Sequence, residues 1–239
     1  MSVLLTGGGG RLGSELRALL PDLIAPSSAE LDVTDEANVL AFVRDLRPTL
    51  IVHAAAYTNV GGAERERERC WAVNVKGTRY AARAANAVGA RLLHVSTDYV
   101  FGGERGNYRE DDVLGPPANF YALSKLVAEE AARGAGRHLI VRTSFRPRAW
   151  PYETAFTDVF TSQDYVDVIA PEIALAISRH AEIPFDTLHI ATERKSVYDL
   201  ARRRRPDVRP GTRAEANVRL PADVSLDTAR WRELRARLV

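Results

Sequence analysis

The chain has 239 residues, 46% of them hydrophobic, which is enough to bury a core and excludes a disordered or fibrous protein. Its 33 basic residues against 31 acidic ones leave a formal charge of +2, too balanced for nucleic acid or an anionic membrane as partner. No apolar run approaches the roughly 20 residues that cross a bilayer, the single cysteine makes no intrachain disulfide, and the N-terminus lacks the order of a secretory signal, so the expected compartment is the cytoplasm.

In chain order, Ser2 to Leu5 reads as a buried strand running straight into Thr6-Gly7-Gly8-Gly9-Gly10-Arg11-Leu12-Gly13. Leu12, Leu16, Leu19 and Leu20 then mark one helical face, ended by Pro21. A brief strand is expected at Leu23 to Ala25, a helix near Asp35 to Leu46, and a strand at Thr49 to His53. Residues 62 to 88 read as one long helix, Arg91 to Ser96 as a strand, Asn119 to Arg133 as a helix and His138 to Thr143 as a strand. Strands alternating with crossover helices make an α/β, doubly wound parallel sheet, a Rossmann fold, over residues 1–144.

From Phe145 to Tyr152 the periodicity lapses and the stretch reads as loop. Val166 to Ser178 then looks helical, Leu188 to Ala191 extended and Val197 to Arg204 helical, so residues 145–239 form a small C-terminal lobe whose chain is free to cross back to the sheet. The Glu64 to Arg69 alternation and the Arg202 to Arg205 run read as solvated faces with local ion pairs. Cys70 reads as a small buried hydrophobe. The five histidines, His53, His94, His138, His180 and His189, lack ligand spacing, so no metal is expected.

Gly7, Gly10 and Gly13 stand between a strand and a helix. There they let the backbone approach a pyrophosphate while the helix N-terminus donates amides, with Arg11 and Leu12 inside the turn. About 20 residues on, where NAD enzymes place a ribose-binding acid, stand Ser27 and Ser28. With Arg11 to attract a 2′-phosphate, NADP(H) is the preferred cofactor, and Glu30 and Asp32 keep NAD(H) possible. His53-Ala54-Ala55-Ala56-Tyr57 puts small residues at the sheet edge, where bulk would block a dinucleotide.

Only Lys76, Lys125 and Lys195 are lysines, and one of them completes Tyr121-x-x-x-Lys125, a spacing that puts both side chains on one helical face. An unperturbed phenol titrates near pKa ~10, and a nearby ammonium is expected to lower it. Thr97, ending the Ser96 strand at the carboxyl edge, is placed to hydrogen-bond a substrate oxygen.

Together these residues resemble the extended short-chain dehydrogenase/reductases and, among them, the dTDP-4-dehydrorhamnose reductase family. The likeness runs through Gly7 to Gly13, Leu31 to Asp35, Ala54 to Thr58, Ala63-Glu64, Asn74, Ser96 to Phe101, Tyr121 to Lys125, Arg142 to Ser144 and Leu220 to Asp227. It implies a reductase of a 4-keto group on a nucleotide-linked deoxysugar. Asp32 and Val33 would sit against adenine, Ala54, Ala55 and Tyr57 would line the cofactor, and Thr97, Tyr121 and Lys125 would be catalytic. Asp98 is followed by Tyr99, whereas the dehydratases of this fold need Asp-Glu. The chain departs from the family in Phe145, where Trp is usual, in Gly62, where an acid is usual, and in a shortened lobe. Asp98, Phe145, Arg148 and Trp150, with Arg146, are the candidates for the substrate side, arginine for phosphate and aromatics for a ring face. The expected partner is a small sugar nucleotide, with a homodimer as a possible assembly. The competing readings are a cofactor-binding scaffold of weak activity and a sugar-nucleotide epimerase.

Overall fold

The computed structural model describes residues 2–216 and 220–239. The first half supplies β1 (Val3–Thr6), α1 (Arg11–Leu19), α2 (Glu36–Leu46), β2 (Leu50–His53), α3 (Val60–Ala63), α4 (Arg67–Trp71), α5 (Gly77–Val88), β3 (Arg91–Thr97), α6 (Phe120–Arg133) and β4 (His138–Thr143). The second half supplies β5 (Phe145–Arg146), β6 (Thr154–Phe156), β7 (Phe160–Thr161), β8 (Asp164–Tyr165), α7 (Val166–Ser178), β9 (Thr187–His189), β10 (Lys195–Ser196), α8 (Val197–Arg202), β11 (Arg209–Gly211) and α9 (Ala229–Leu238).

Five parallel strands form the sheet in the order β1-β2-β3-β4-β9. Alternate side chains of each strand enter opposite layers, as a period of two requires. Leu5, Leu50, Val52, Leu93, Leu139 and Val141 meet α1, α7 and α9 through Leu16, Ile169, Ile173 and Trp231. Leu4, Ile51, Leu92 and Ile140 meet α2, α5 and α6 through Val43, Ala81, Ala85 and Ala132. Each buried Leu, Ile or Val side chain contributes about 1.5–3 kcal/mol, so the two faces, not helix propensity, hold the doubly wound α/β fold together.

Three elements differ from expectation. The strand at Leu23 to Ala25 is one bridge, Leu4 to Ile24, because Asp22 and Pro26 flank a stretch too short to pair further. The fifth full strand is instead β9, so α7, β9 and α9 belong to the sheet's own packing. The helix expected over 62–88 is broken into α3, α4, a π turn at Ala72–Lys76, and α5. Gly61 and Gly62 weaken the start, and the π turn's extra residue rolls Asn74 inward, where it holds both backbone groups of Tyr57 (Tyr57 N to Oδ1 2.8 Å; Nδ2 to Tyr57 O 3.2 Å).

The lobe has its own small core, with Trp150, Val159, Tyr165, Leu200 and Val208, and three short pairings, β5 with β8, β6 with β11 and β7 with β10. It stands over the carboxyl edge of the sheet. The chain leaves β1 for Ile24 on one side and returns as β2 on the other, so the crevice between their ends is the switch point at which such sheets bind ligands. Among the described residues no helix is long and apolar enough to cross a membrane.

Candidate functional site

A cleft of about 1840 Å³ lies between that edge and the lobe. Single small-ligand pockets hold roughly 300–1,000 Å³, so there is room for two molecules side by side.

The glycine turn forms one end. Gly7 has φ +76°, and a side chain on it would meet the backbone N of Ala55 at 2.6 Å, so β1 and β2 close to contact only because it is bare. Gly13 is packed as tightly against Gly7, whereas Gly9 faces open space, which leaves the loop backbone free for a phosphate. Leu12 is buried in the core, so it offers a ligand its backbone only. Ala54, Ala55 and Ala56 line the cleft with Thr6, whose hydroxyl accepts from Ala55 N at 3.3 Å. Arg11 lines it as an exposed side chain.

The adenine end differs in detail from expectation. Ser27 is at the wall, but its N–H and hydroxyl both donate to Glu30 Oε2 at 2.8 Å, so a carboxylate does stand there. These bonds hold Glu30 below the usual carboxylate range. Asp32 and Val33 line the cleft. The Asp32 carboxylate accepts Thr34 N and Oγ1 at 2.8 Å each, which ties down its own turn. Tyr57 is not among the lining residues, a correction to its expected place. Asn74 clamps its backbone, its ring lies under Arg69 (5.9 Å), and its hydroxyl is directed at Gly62.

Thr97, Tyr121 and Lys125 all open onto the middle of the cleft. Asn119 caps α6, accepting from Ala122 N at 2.8 Å, and Glu64 Oε1 accepts Phe120 N at 2.7 Å, so Tyr121 stands in a doubly capped first turn. Lys125 is 2% exposed, with Nζ donating to Val95 O at 2.8 Å and 3.4 Å from His94 Nε2. Burial lowers its pKa to about 8, against Glu129, which raises it. Burial, and then the Asp98 charge, push the Tyr121 phenol well above its ordinary value, opposed by a hydrogen bond with Thr97. The expected lowering by Lys125 is absent from these causes: the two share a helical face, but Nζ is drawn down to the β3 carbonyl.

Beneath them lies a buried network that sequence reasoning did not assemble. Glu129, one further turn along the Tyr121 and Lys125 face, binds Arg142 at 2.9 Å through each oxygen and accepts Ser96 Oγ at 2.6 Å. Arg142 also donates to Glu110 O at 3.1 Å and lies 3.2 Å from His189 Nε2. The i, i+4, i+8 spacing on α6 was the available signal for Glu129. Asn74 Nδ2 donates to Ser124 Oγ at 2.9 Å, joining the alanine loop to the same helix. Cys70 is fully buried, as read, and burial raises its thiol. His53 and His94 stack at 5.7 Å between Thr6 and Lys125, and burial keeps both neutral, His53 down to about 3.

On the lobe side, Asp98 is buried beside Thr97, whose hydroxyl donates to Oδ1 at 3.0 Å, and burial raises its pKa to about 6. Phe145 and Trp150 line the cleft, Phe145 leaning on the sheet core and Trp150 in the lobe core. Arg148 does not line it, a second correction. It is held by Glu15 of α1 through two bonds of 2.7 Å, a bidentate pairing of guanidinium and carboxylate. Arg146, two residues earlier on a two-residue strand, faces the cleft instead. Among the described residues no group of three or more His, Cys, Asp or Glu side chains is arranged to hold a metal.

A family model described as the RmlD substrate binding domain matches residues 1–169. The dTDP-4-dehydrorhamnose reductase of Aggregatibacter actinomycetemcomitans is 39% identical over 150 residues, covering 60% of this chain and 51% of that protein. The chain thus spans about half the length of the curated relatives it matches. Among solved structures, a hypothetical dTDP-4-dehydrorhamnose reductase from Sulfolobus tokodaii superposes with a TM-score of 0.87 at 33% identity, covering 98% of this chain and 94% of that one. The dTDP-4-dehydrorhamnose reductase of Bacillus anthracis, in complex with NADP, superposes with 0.87 at 28% identity, covering 98% and 93%.

Proposed function

The chain belongs to the RmlD substrate binding domain family, and from that premise we propose that it is an NADPH-dependent reductase of a 4-keto group on a nucleotide-linked deoxysugar. The observation that carries the reading is the convergence of Thr97, Tyr121 and Lys125 on one cleft with a bare glycine turn. The open face of Gly9 and the close-packed Gly7 and Gly13 fit a dinucleotide pyrophosphate against the loop backbone. In this reading Gly7 to Gly13 hold the pyrophosphate, Asp32 and Val33 the adenine side, and Ala54 to Ala56 the wall between. Bound there, the reduced dinucleotide supplies hydride to the carbonyl carbon.

The remaining steps belong to the chain's own residues. Tyr121 keeps its proton at neutral pH because burial disfavours the phenolate, which is the state a donor needs, and it protonates the carbonyl oxygen. Thr97 holds that oxygen in line by turning its single O–H from Asp98, to which it donates in the free protein, to the carbonyl. An ammonium has three N–H groups; Lys125 directs one at Val95 O and one toward His94, which leaves the third for the nicotinamide ribose. Arg11 favours a 2′-phosphate, although Glu30 beside Ser27 partly offsets it. The same proposal takes the protein as a cytoplasmic homodimer, and a monomer mass by light scattering would remove the dimer.

The test is NADPH and NADH oxidation on a panel of dTDP-linked 4-keto-6-deoxy sugars, with Tyr121→Phe alongside. The variant is expected to lose about a hundredfold to ten-thousandfold in kcat with its NADPH Kd unchanged. Cofactor binding without turnover on any sugar would return the chain to a scaffold, and sugar interconversion without net NADPH oxidation to an epimerase. Arg11→Ala is expected to raise the Kd for NADPH more than that for NADH; an unchanged ratio would remove the case for NADPH.

A further inference from the structure

Several of the lobe's arginines are tied down by acids. Arg148 is bound by Glu15, Arg194 by Asp223, Arg203 by Asp164 and Glu193, and Arg204 by Asp167. Arg146 has no ion pair among the described residues, and its Nε is buried without a hydrogen-bond partner. Yet it is half-buried in the cleft wall rather than free in solvent. Its guanidinium lies 5.3 Å from the ring centre of Trp150 and 6.0 Å from that of Tyr152, with Trp150 itself buried in the lobe core. Its position is set from both sides. β5 follows the end of β4 after one residue, and Arg146 pairs with Tyr165 of β8.

Such a cation is costly to keep unless something answers it, because half-burial strips water from the guanidinium without supplying an acceptor. Stacking on two aromatic faces offsets part of that and fixes the plane of the fork. Arg146 lines the same cleft as Thr97 and Asp98, Asp98 feels its charge without forming an ion pair with it, and its Nε is left without an acceptor. A planar fork with parallel N–H groups matches two oxygens of one phosphate or carboxylate.

We propose that Arg146, stacked on Trp150 and Tyr152, is the anchor for an oxyanion of the substrate, and thus the residue that selects a charged sugar derivative over a neutral keto sugar. The inference rests on the reading of this half of the cleft as the sugar-nucleotide side, not on turnover. The oxyanion has two sources with the same chemistry, the diphosphate of the nucleotide and a carboxylate on the sugar.

The experiment measures binding, so that it stands apart from the reductase reading. dTDP and, separately, D-glucuronate are titrated by calorimetry into NADP-loaded wild type, Arg146→Met and Arg146→Lys. Melting temperature and NADP affinity of each variant show that it is folded. Wild type is expected to bind one of the two anions saturably, dTDP identifying the diphosphate and glucuronate the carboxylate. Arg146→Met should weaken that binding about tenfold to a hundredfold, with Arg146→Lys in between, as for loss of hydrogen bonds to a charged group. With an active substrate the same loss appears mainly in KM. Equal affinity in wild type and Arg146→Met, or saturable binding of neither anion by wild type, overturns the inference. Arg146-dependent anion binding in a protein that reduces no sugar would sustain it while the reductase reading falls.

Discussion

The sheet half and the lobe are built by different means. In the sheet, four strands of four to seven residues repeat one rule, apolar side chains to both faces, and helices cover each face. In the lobe, the pairings are two or three residues long and the charges do much of the joining. Arg203 bridges to Asp164, Arg209 to Glu153, and the Lys195 ammonium donates to Gln163 O, Glu193 O and Thr192 Oγ1. The difference shows which half can vary its shape at little cost. A sheet strand shifted by one residue exchanges its two faces, whereas an exposed pair such as Arg209–Glu153 can be exchanged for another with a small change in free energy. The side chains proposed as catalytic sit on the sheet half, and the residue proposed to read the substrate sits on the lobe.

The sharpest way to break this comparison, after loss of the Tyr121 hydroxyl, is at Glu129. Glu129→Ala leaves Arg142 buried without its carboxylate and is expected to destabilise the protein by about 3–5 kcal/mol in urea unfolding. A loss below about 1 kcal/mol would mean that the sheet half does not depend on this pair.

Next in size is the pH response of Lys125, whose pKa is lowered to about 8 by burial. In the free protein, log kcat/KM is expected to fall with unit slope above about pH 8 as the ammonium is lost. Stability should move the other way. Between about 8 and the ordinary lysine value of 10.5 the unfolded chain binds more protons than the folded one, so stability rises with pH across that window. Lys125→Met should lose activity and, in thermal melts from pH 7 to 10, lack that rise; a parallel rise in the variant would place its origin elsewhere.

The smallest effect is expected at Arg148, the exposed tie between the lobe and α1. Arg148→Ala should cost about 0–1 kcal/mol and leave cofactor affinity unchanged, since neither Arg148 nor its partner Glu15 lines the cleft. A loss of several kcal/mol would show that the lobe is held as rigidly as the sheet.

Most strands and helices of the first half were readable because their signal is local. The 3.6-residue face of α6 carries Tyr121 and Lys125 together whatever else the chain does, and α7 runs over the residues read for it. The same holds for the glycine turn, whose spacing reflects contacts within a few residues. The stretch between β4 and α7 was not readable in this way. Phe145 to Tyr152 has no period, so nothing local distinguishes Arg146, which faces the cleft, from Arg148, which faces Glu15.

By itself, then, the sequence determined the parallel sheet, the strand-to-helix glycine turn and the Tyr121–Lys125 pair, since periodicity and tight turns are properties of neighbouring residues. Only the tertiary structure decided that β9 rather than the Leu23 to Ala25 strand completes the sheet, and that Lys125 is drawn to Val95 rather than to Tyr121. It alone showed that Glu30 stands beside Ser27 and that Glu129 of α6 is locked by Arg142 beneath Tyr121 and Lys125. Each of these is a choice among partners, most of them far apart in the chain, and burial, charge and distance make that choice only once the core has closed.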